Sequence, residues 1–313
     1  MKIDDLIKRI QEERVQATEE AYSADGLARL QEVASNYQGE YRLVESEKLT
    51  EEIKKRPTKK LHPTGISSVD MVLGGFREQQ IIGIAAHSAH GKTAMGLFLI
   101  ELLKDLNPVM IPLEQSNEEL IEQRLDNGHS IPHFLSPLKT ASRVSTDWIE
   151  ERVVEGIAKY NSKLVVIDHL GYVDAKDKYD SDGEHLRIER KLQDIKNIAK
   201  RWNVIIITLI HITQVDEGIP PSLHNLKGSS AIRQECDTII LLWRKNALKR
   251  KIRVYDDKTL LSVQKNRRTG QNGNVGLCFN RKTGRYEEDN RWVESMEASA
   301  RQATATEDEF NEI

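Results

Sequence analysis

The chain has little cysteine. Cys236 and Cys278 stand far apart and outside any metal-ligand spacing, which excludes a disulfide framework and a zinc module and points to a reducing compartment. It also has no long apolar run. The stretch Met1–Ile10 is charged throughout, and nothing approaches the roughly 18 apolar residues of a membrane span, so neither export signal nor anchor is expected and the expected location is the cytoplasm. An excess of one charge is missing as well. With 30% charged residues and a net charge of −3, the overall balance neither demands nor forbids a nucleic-acid partner, and local charge has to decide.

What is present is a strand, a glycine-bearing loop and a helix. Ile81-Ile82-Gly83-Ile84-Ala85 runs into A-H-S-A-H-G-K-T, Ala86 to Thr93, followed by the apolar stretch Ala94–Ile100. This is the order of a phosphate-binding P-loop. In such a loop the backbone of Ala86, His87, Ser88, Ala89, His90, Gly91, Lys92, Thr93 and Ala94 cradles phosphate, Lys92 neutralises its outer charge and Thr93 holds magnesium. ATP or another nucleoside triphosphate with Mg²⁺ is the expected ligand. Ala86 stands where the general pattern asks for glycine.

Three parts are expected. Residues 1–60 read as a helical extension and linker: short apolar stripes at Leu6, Ile7 and Ile10 and at Leu27, Leu30 and Val33, then the charged, proline-bearing segment Glu47–Lys60. Residues 61–286 alternate all-apolar strands with amphipathic helices, which predicts an α/β P-loop core with a mostly parallel central sheet covered by helices. After His211 come short strands, Ile239–Trp243, Leu260–Val263 and Val275–Phe279, expected as antiparallel additions at the sheet edge. Residues 287–313 read as an acidic tail, weakly patterned and disordered in isolation.

Acidic and imidazole groups close several of these strands. Asp168 ends K-L-V-V-I-D, where a P-loop enzyme holds magnesium. Glu114 in P-L-E-Q-S can polarise an attacking water, and His211, after I-I-I-T-L-I, can donate a hydrogen bond to a terminal phosphate.

These landmarks, in this order, resemble the DnaB-like hexameric replicative helicases with a RecA-like core, in particular the branch of phage primase-helicases and mitochondrial Twinkle. Ala at the first P-loop position is shared with DnaB proteins. P-L-E-Q-S is similar to the motif supplying the family's catalytic glutamate, V-I-D-H-L to its Walker B strand, and I-H-I to its phosphate-sensing strand end. Leu226–Arg244 and Gln264–Gly270 resemble the late motifs of the phage branch. The resemblance implies that Lys265 and Arg267 reach the nucleotide of an adjacent subunit, and that Arg244 and Phe279 bracket the base. It covers Thr64 to Tyr286, and no primase domain is expected in the first sixty residues.

The same resemblance implies an ATP-dependent ring helicase, a hexameric homo-oligomer moving 5′ to 3′ on single-stranded or forked DNA. A RecA- or KaiC-like ATPase, or a helicase loader without unwinding activity, is the alternative. Loops expected on the DNA carry Lys176 and Lys178 after the Walker B strand, and Thr213, Gln214, Lys227, Gly228, Ser229 and Arg233 around the second loop. Basic and small residues suit a grip on the phosphate backbone. Thr213 and Gln214 stand where the phage branch leads one to expect lysines. The basic cluster Lys245, Lys249, Arg250 and Lys251 reads as a solvated hairpin in preference to a DNA surface, and the acidic tail equally as a solubilising segment or as a contact for a polymerase, primase or loader.

Overall fold

Strands without a polar face have to be covered on both sides, and the chain carries helices for each. The structure, a computed structural model, describes residues 43–55, 60–176, 183–212, 218–226, 228–249 and 252–298. The chain divides into two units, residues 1–58 and 59–313. In the first, the described element is helix α1 (Ser46–Lys55), whose Leu49 and Ile53 are exposed. This corrects the expected linker Glu47–Lys60: most of it is helical, with an acid in the first turn and lysines in the last, as the helix dipole favours. The stripes expected between Leu6 and Val33 lie outside the described residues.

In the second unit the strands are β1 (Leu61–His62), β2 (Phe76–Arg77), β3 (Ile81–Ala86), β4 (Val109–Pro112), β5 (Val144–Ser145), β6 (Leu164–Asp168), β7 (Val173–Asp174), β8 (Ile205–His211), β9 (Thr238–Lys249), β10 (Ile252–Asn266), β11 (Gly273–Asn280) and β12 (Arg285–Glu288). The helices are α2 (Ser67–Leu73), α3 (Lys92–Leu102), α4 (Asn117–Asp126), α5 (Thr146–Tyr160), α6 (Glu184–Trp202) and α7 (Ser229–Glu235). One eight-stranded sheet has the order β12-β11-β10-β9-β3-β8-β6-β4. From β9 to β4 every neighbour is parallel; from β9 outward to β12 every neighbour is antiparallel.

Alternation along the strands sorts the core into two layers. Ile82 and Ile84 of β3, Leu164 and Val166 of β6, and Ile207 and Leu209 of β8 face one layer, which α3 fills with Met95, Phe98 and Leu99. Ile81, Val165, Ile167, Ile206 and Ile210 face the other, against Ile149 and Val153 of α5 and Leu192, Ile195 and Ala199 of α6. The helix ends follow local chemistry: Ser116 and Glu119 form a capping box on α4, Ser145 caps α5, and Asn161 and Asn203 close α5 and α6 in the left-handed conformation.

Two further expectations are corrected. The late strands are long, up to the 15 residues of β10, and β9 lies inside the parallel set beside β3, so antiparallel pairing begins only at β10. Order also continues past residue 286. Strand β12 is followed by a helix over 291–298, where Trp292 and Val293 are buried against Trp243 and Leu260. Residues 299–313 lie outside the described residues.

Helix α5 approaches β4 through Gly156. A Cβ there would stand 2.9 Å from Val109 Cγ2 and 3.3 Å from Ser162 Cβ. Gly156→Leu is expected to force helix and strand apart and to lower unfolding free energy by about 1–3 kcal/mol, measured by urea denaturation; an unchanged midpoint would show that the contact yields freely.

Candidate nucleotide site

Parallel pairing brings the carboxyl ends of β3, β4, β6 and β8 to one edge of the sheet, and the strand register aligns their last residues. Ala86 pairs with His211 and Pro112 with Asp168. Glu114 follows two residues after Pro112, and its backbone N–H donates to Asp168 O at 3.0 Å. Residues distant in the chain thus meet here: Lys92 Nζ lies 3.2 Å from His211 Nδ1, 119 positions further on.

The P-loop turns on Ala89, at φ 62°, and on Gly91, at φ 84°, the residue that caps α3. Lys92 is buried, and its ammonium donates to Ala86 O and His87 O, both at 3.2 Å, within the loop's own cradle. Burial lowers its pKa, while the charges of Glu114 and Asp168 act in the opposite direction. Thr93 Oγ1 donates to Asp168 Oδ2 at 2.6 Å. The other carboxylate oxygen, Asp168 Oδ1, is buried with no hydrogen-bond partner among the described residues. Burial is the main reason that the Asp168 carboxyl is pushed up from its ordinary 3.8 to about 6.

His211 Nε2 is 3.2 Å from Glu114 Oε2, so lysine, imidazole and carboxylate form a chain along the strand ends. His169, next to Asp168, packs edge-on against His211 with ring centroids 4.2 Å apart. Burial, reinforced by His211, lowers its pKa to about 4, which keeps it neutral at physiological pH. The sequence reading leaves His169 without a role, although V-I-D-H-L displays it.

A cleft of about 550 Å³ opens beside the loop, and its lining includes Lys92, Thr93, Glu114, His211, Arg244 and Phe279, together with Arg124 and His129. Arg244 and Phe279 therefore share the cleft. The Arg244 guanidinium is turned to Asp257 Oδ1 at 3.2 Å and lies over the Tyr255 ring, while Phe279 packs on Tyr286 and His129. His87 and His90 bury their side chains, so any contact they make with a phosphate comes from backbone. His90 Nδ1 accepts the Arg244 N–H at 2.9 Å, tying the P-loop to β9. Tyr286 walls the loop from β12: a Cβ on Gly91 would stand 2.5 Å from its hydroxyl.

A nucleotide with Mg²⁺ fits these residues. The fit rests on an orphaned buried carboxylate oxygen beside a threonine hydroxyl, an ammonium held by two carbonyls of the loop, and room alongside for a base.

Lys265 and Arg267 are elsewhere. Lys265 pairs with Ile239 and Asn266 with Thr238, and Thr238 pairs with Ile82, so both cations lie at the amino ends of the parallel strands, the edge opposite the P-loop. Lys265 Nζ donates to the carbonyls of Arg233 and Cys236, at 2.8 Å for Cys236, and Arg267 to Gln234 O and Asp237 Oδ1, the latter at 3.4 Å. Asp237 is the hub of this edge. It forms a buried ion pair with Lys196 and accepts the Ile81 N–H at 2.9 Å. Nothing in the local sequence announces that role.

Of the expected DNA contacts, Lys176 is exposed but ion-paired with Asp147 at 3.2 Å, and Gly228 caps α7 at φ 70°. Ser229 opens that helix and Arg233 is half-buried on it. Lys178, Thr213, Gln214 and Lys227 lie outside the described residues. Among the described residues no helix is long and apolar enough to cross a membrane.

Similarity to known proteins agrees with this geometry. The chain is 25% identical over 260 residues to the replicative DNA helicase DnaB of Mycoplasma genitalium, covering 71% of this chain and 55% of that protein. It is 21% identical over 254 residues to the replicative DNA helicase DnaC of Bacillus subtilis, covering 69% and 54%. A DNA helicase/primase of Enterobacteria phage T3 is 32% identical over 128 residues, 39% of this chain and 21% of that protein. The chain thus spans about half the length of the bacterial relatives it matches. In fold it is similar to a solved ATPase domain, with TM-score 0.63, 20% identity and coverage of 78% of this chain and 96% of that one. The pattern of the DnaB-like helicase C terminal domain matches residues 62–150 and 136–288. With its RecA-like sheet and most of its length accounted for by that pattern, the chain belongs to the DnaB-like helicase C-terminal domain family.

Proposed function

We propose that this chain is the motor of an ATP-driven replicative DNA helicase that works as a ring, a hexamer in which each nucleotide is held between two copies. The observation that carries the reading is the division of charge between opposite edges of one sheet. Lys92, Thr93, Asp168, Glu114 and His211 gather at the carboxyl edge, whereas Lys265 and Arg267 sit at the amino edge. A cation pair there serves no nucleotide of its own chain and is presented to a neighbour's. When bound, magnesium spreads the developing charge of the transferred phosphoryl group. Thr93 and Asp168 hold the ion, Lys92 neutralises the outer phosphates, and Glu114 takes the proton of the attacking water. His211 reports the terminal phosphate to the loop that follows it. Arg267, with Lys265, adds positive charge from across the boundary.

Residues 61–298 form the motor in this reading, with the helix over 291–298 packed on it, and residues 1–60 an extension. The single strand passes Lys176, Lys178, Thr213, Gln214, Lys227, Gly228, Ser229 and Arg233, with polarity 5′ to 3′ as in the resembling helicases. A solved structure of a DnaB-like replicative helicase, similar at TM-score 0.62 and 19% identity, is described together with primase. A primase, polymerase or loader is accordingly the partner proposed for the acidic segment that follows the helix over 291–298.

Two experiments test the site. In forked-DNA unwinding and ATPase assays, Lys92→Ala and Arg267→Ala are each expected to lose roughly a hundredfold or more of ATP turnover, and a mixture of the two to recover part of it by forming sites from one intact half of each. An Arg267→Ala oligomer that hydrolyses ATP normally would remove the cross-boundary role.

The second exploits the cost of the buried acid. Because burial raises the folded-state pKa of Asp168 from 3.8 to about 6, its contribution to stability is fully present below about pH 4 and is lost as pH rises through 6. Above that, the charged form costs about 3 kcal/mol in the nucleotide-free chain. Asp168→Asn is expected to raise the nucleotide-free melting temperature at pH 8 while abolishing Mg²⁺-dependent hydrolysis, and to have little effect on melting at pH 4. A variant that is both less stable and fully active would contradict the assignment.

A further inference from the structure

Beside Glu114 lies an imidazole that the mechanism above leaves idle. His169 Nε2 stands 4.0 Å from Glu114 Oε2, the same carboxylate oxygen that His211 Nε2 meets at 3.2 Å. The proton positions on both rings follow from their other partners. A backbone N–H can only donate, so Gly171 N–H, 2.9 Å away, makes His169 Nδ1 an acceptor and leaves the ring proton on Nε2, facing Glu114. The Lys92 ammonium, at His211 Nδ1, does the same for the second ring. Both rings thus turn an N–H toward one carboxylate oxygen, His211 within hydrogen-bond distance and His169 just beyond it. Glu114, His169 and His211 also lie close enough to suggest a metal, with ligand atoms within 4.8 Å of one another. These tautomers argue otherwise, since a ring nitrogen carrying a proton has no lone pair for a cation.

The surroundings of His169 are shaped for its ring. A Cβ on Gly171 would stand 2.4 Å from His169 Cε1 and 2.8 Å from Nδ1. Gly171 is not among the positive-φ glycines, so what it supplies is space. Tyr172 packs on the same ring at 4.7 Å between centroids.

His211 cannot hold Glu114 and a phosphate oxygen with the same proton. We infer that His169 is a positioning residue for the proposed hydrolysis: it keeps Glu114 aimed at the water when His211 turns its Nε2–H to the phosphate. Glu114, itself partly exposed, then keeps one imidazole N–H turned toward it during the handover, and this second imidazole is what permits His211 to act as a sensor.

The inference rests on the proposed function, and the test separates the two. DNA-stimulated ATP hydrolysis by the assembled full chain is compared for His169→Ala, Gly171→Ala and His169→Gln, whose amide N–H reaches about as far as Nε2. His169→Ala and Gly171→Ala are expected to lower kcat by about ten- to a hundredfold, with KM and fluorescent-nucleotide affinity held within about twofold. His169→Gln should restore most of kcat. Wild-type turnover with an unaffected His169→Ala, or a Gln variant no better than Ala, overturns the inference and leaves the proposed function standing. A folded wild-type oligomer without ATPase activity overturns both.

Discussion

A parallel sheet buried on both faces can carry charge only at its two edges, and this constraint arranges everything else in the molecule. The side chains of Ile82, Ile84, Val166 and Ile207, and of the residues alternating with them in β3 and β6, offer no partner to an ion. Ionisable groups are consequently pushed to the carboxyl edge, where Lys92, Asp168, Glu114 and His211 meet, or to the amino edge, where Asp237, Lys196, Lys265 and Arg267 meet. The distance between the edges is the length of the strands. Lys265 and Arg267 at the amino edge are therefore separated from Lys92 and Asp168 of their own chain by the full length of the strands.

The two edges handle buried charge in opposite ways. At the amino edge Asp237 is saturated: Lys196 opposes its charge, Ile81 N–H occupies Oδ2, and the Arg267 guanidinium approaches Oδ1. Such an arrangement fixes the start of β3 and the root of the segment bearing Arg267. At the carboxyl edge Asp168 is left with an oxygen that no described residue answers. A carboxylate in that condition is poor for stability and suited to a cation. The amino edge thus answers its buried carboxylate, and the carboxyl edge leaves one carboxylate oxygen unanswered at a desolvation cost.

The P-loop, the Walker-type acid and the strand-end histidine are legible because each is a local pattern: an apolar run followed at once by the residue whose position matters. Helix α6 is legible for the same reason, from the spacing of Leu192, Ile195 and Ala199. What is not legible depends on pairing between distant segments. That β9 joins β3 in parallel is decided by Thr238 meeting Ile82, which no window of sequence contains. The helix over 291–298 reads as tail because the stretch 287–313 around it is rich in acids, and Trp292 and Val293 find partners on the distant strands β9 and β10. Helix α1 reads as linker because its two apolar residues are outnumbered by charge. At the site, His169 lies in plain view, but its meaning requires Gly171 to be seen as room for a ring. Asp237 carries no local signal, since its partners come from α6, β3 and the segment after β10.

The wall that Tyr286 forms against Gly91 ties the nucleotide loop to a residue 195 positions further along the chain. During synthesis the loop therefore leaves the ribosome long before the side chain that shapes its outer face. At translation speeds of about 5–20 residues per second, that interval lasts on the order of 10–40 seconds. In that window the glycine turn is open on one side, and nucleotide has only part of a surface to meet. The outer face of the loop is in this sense completed only once β12 has been made.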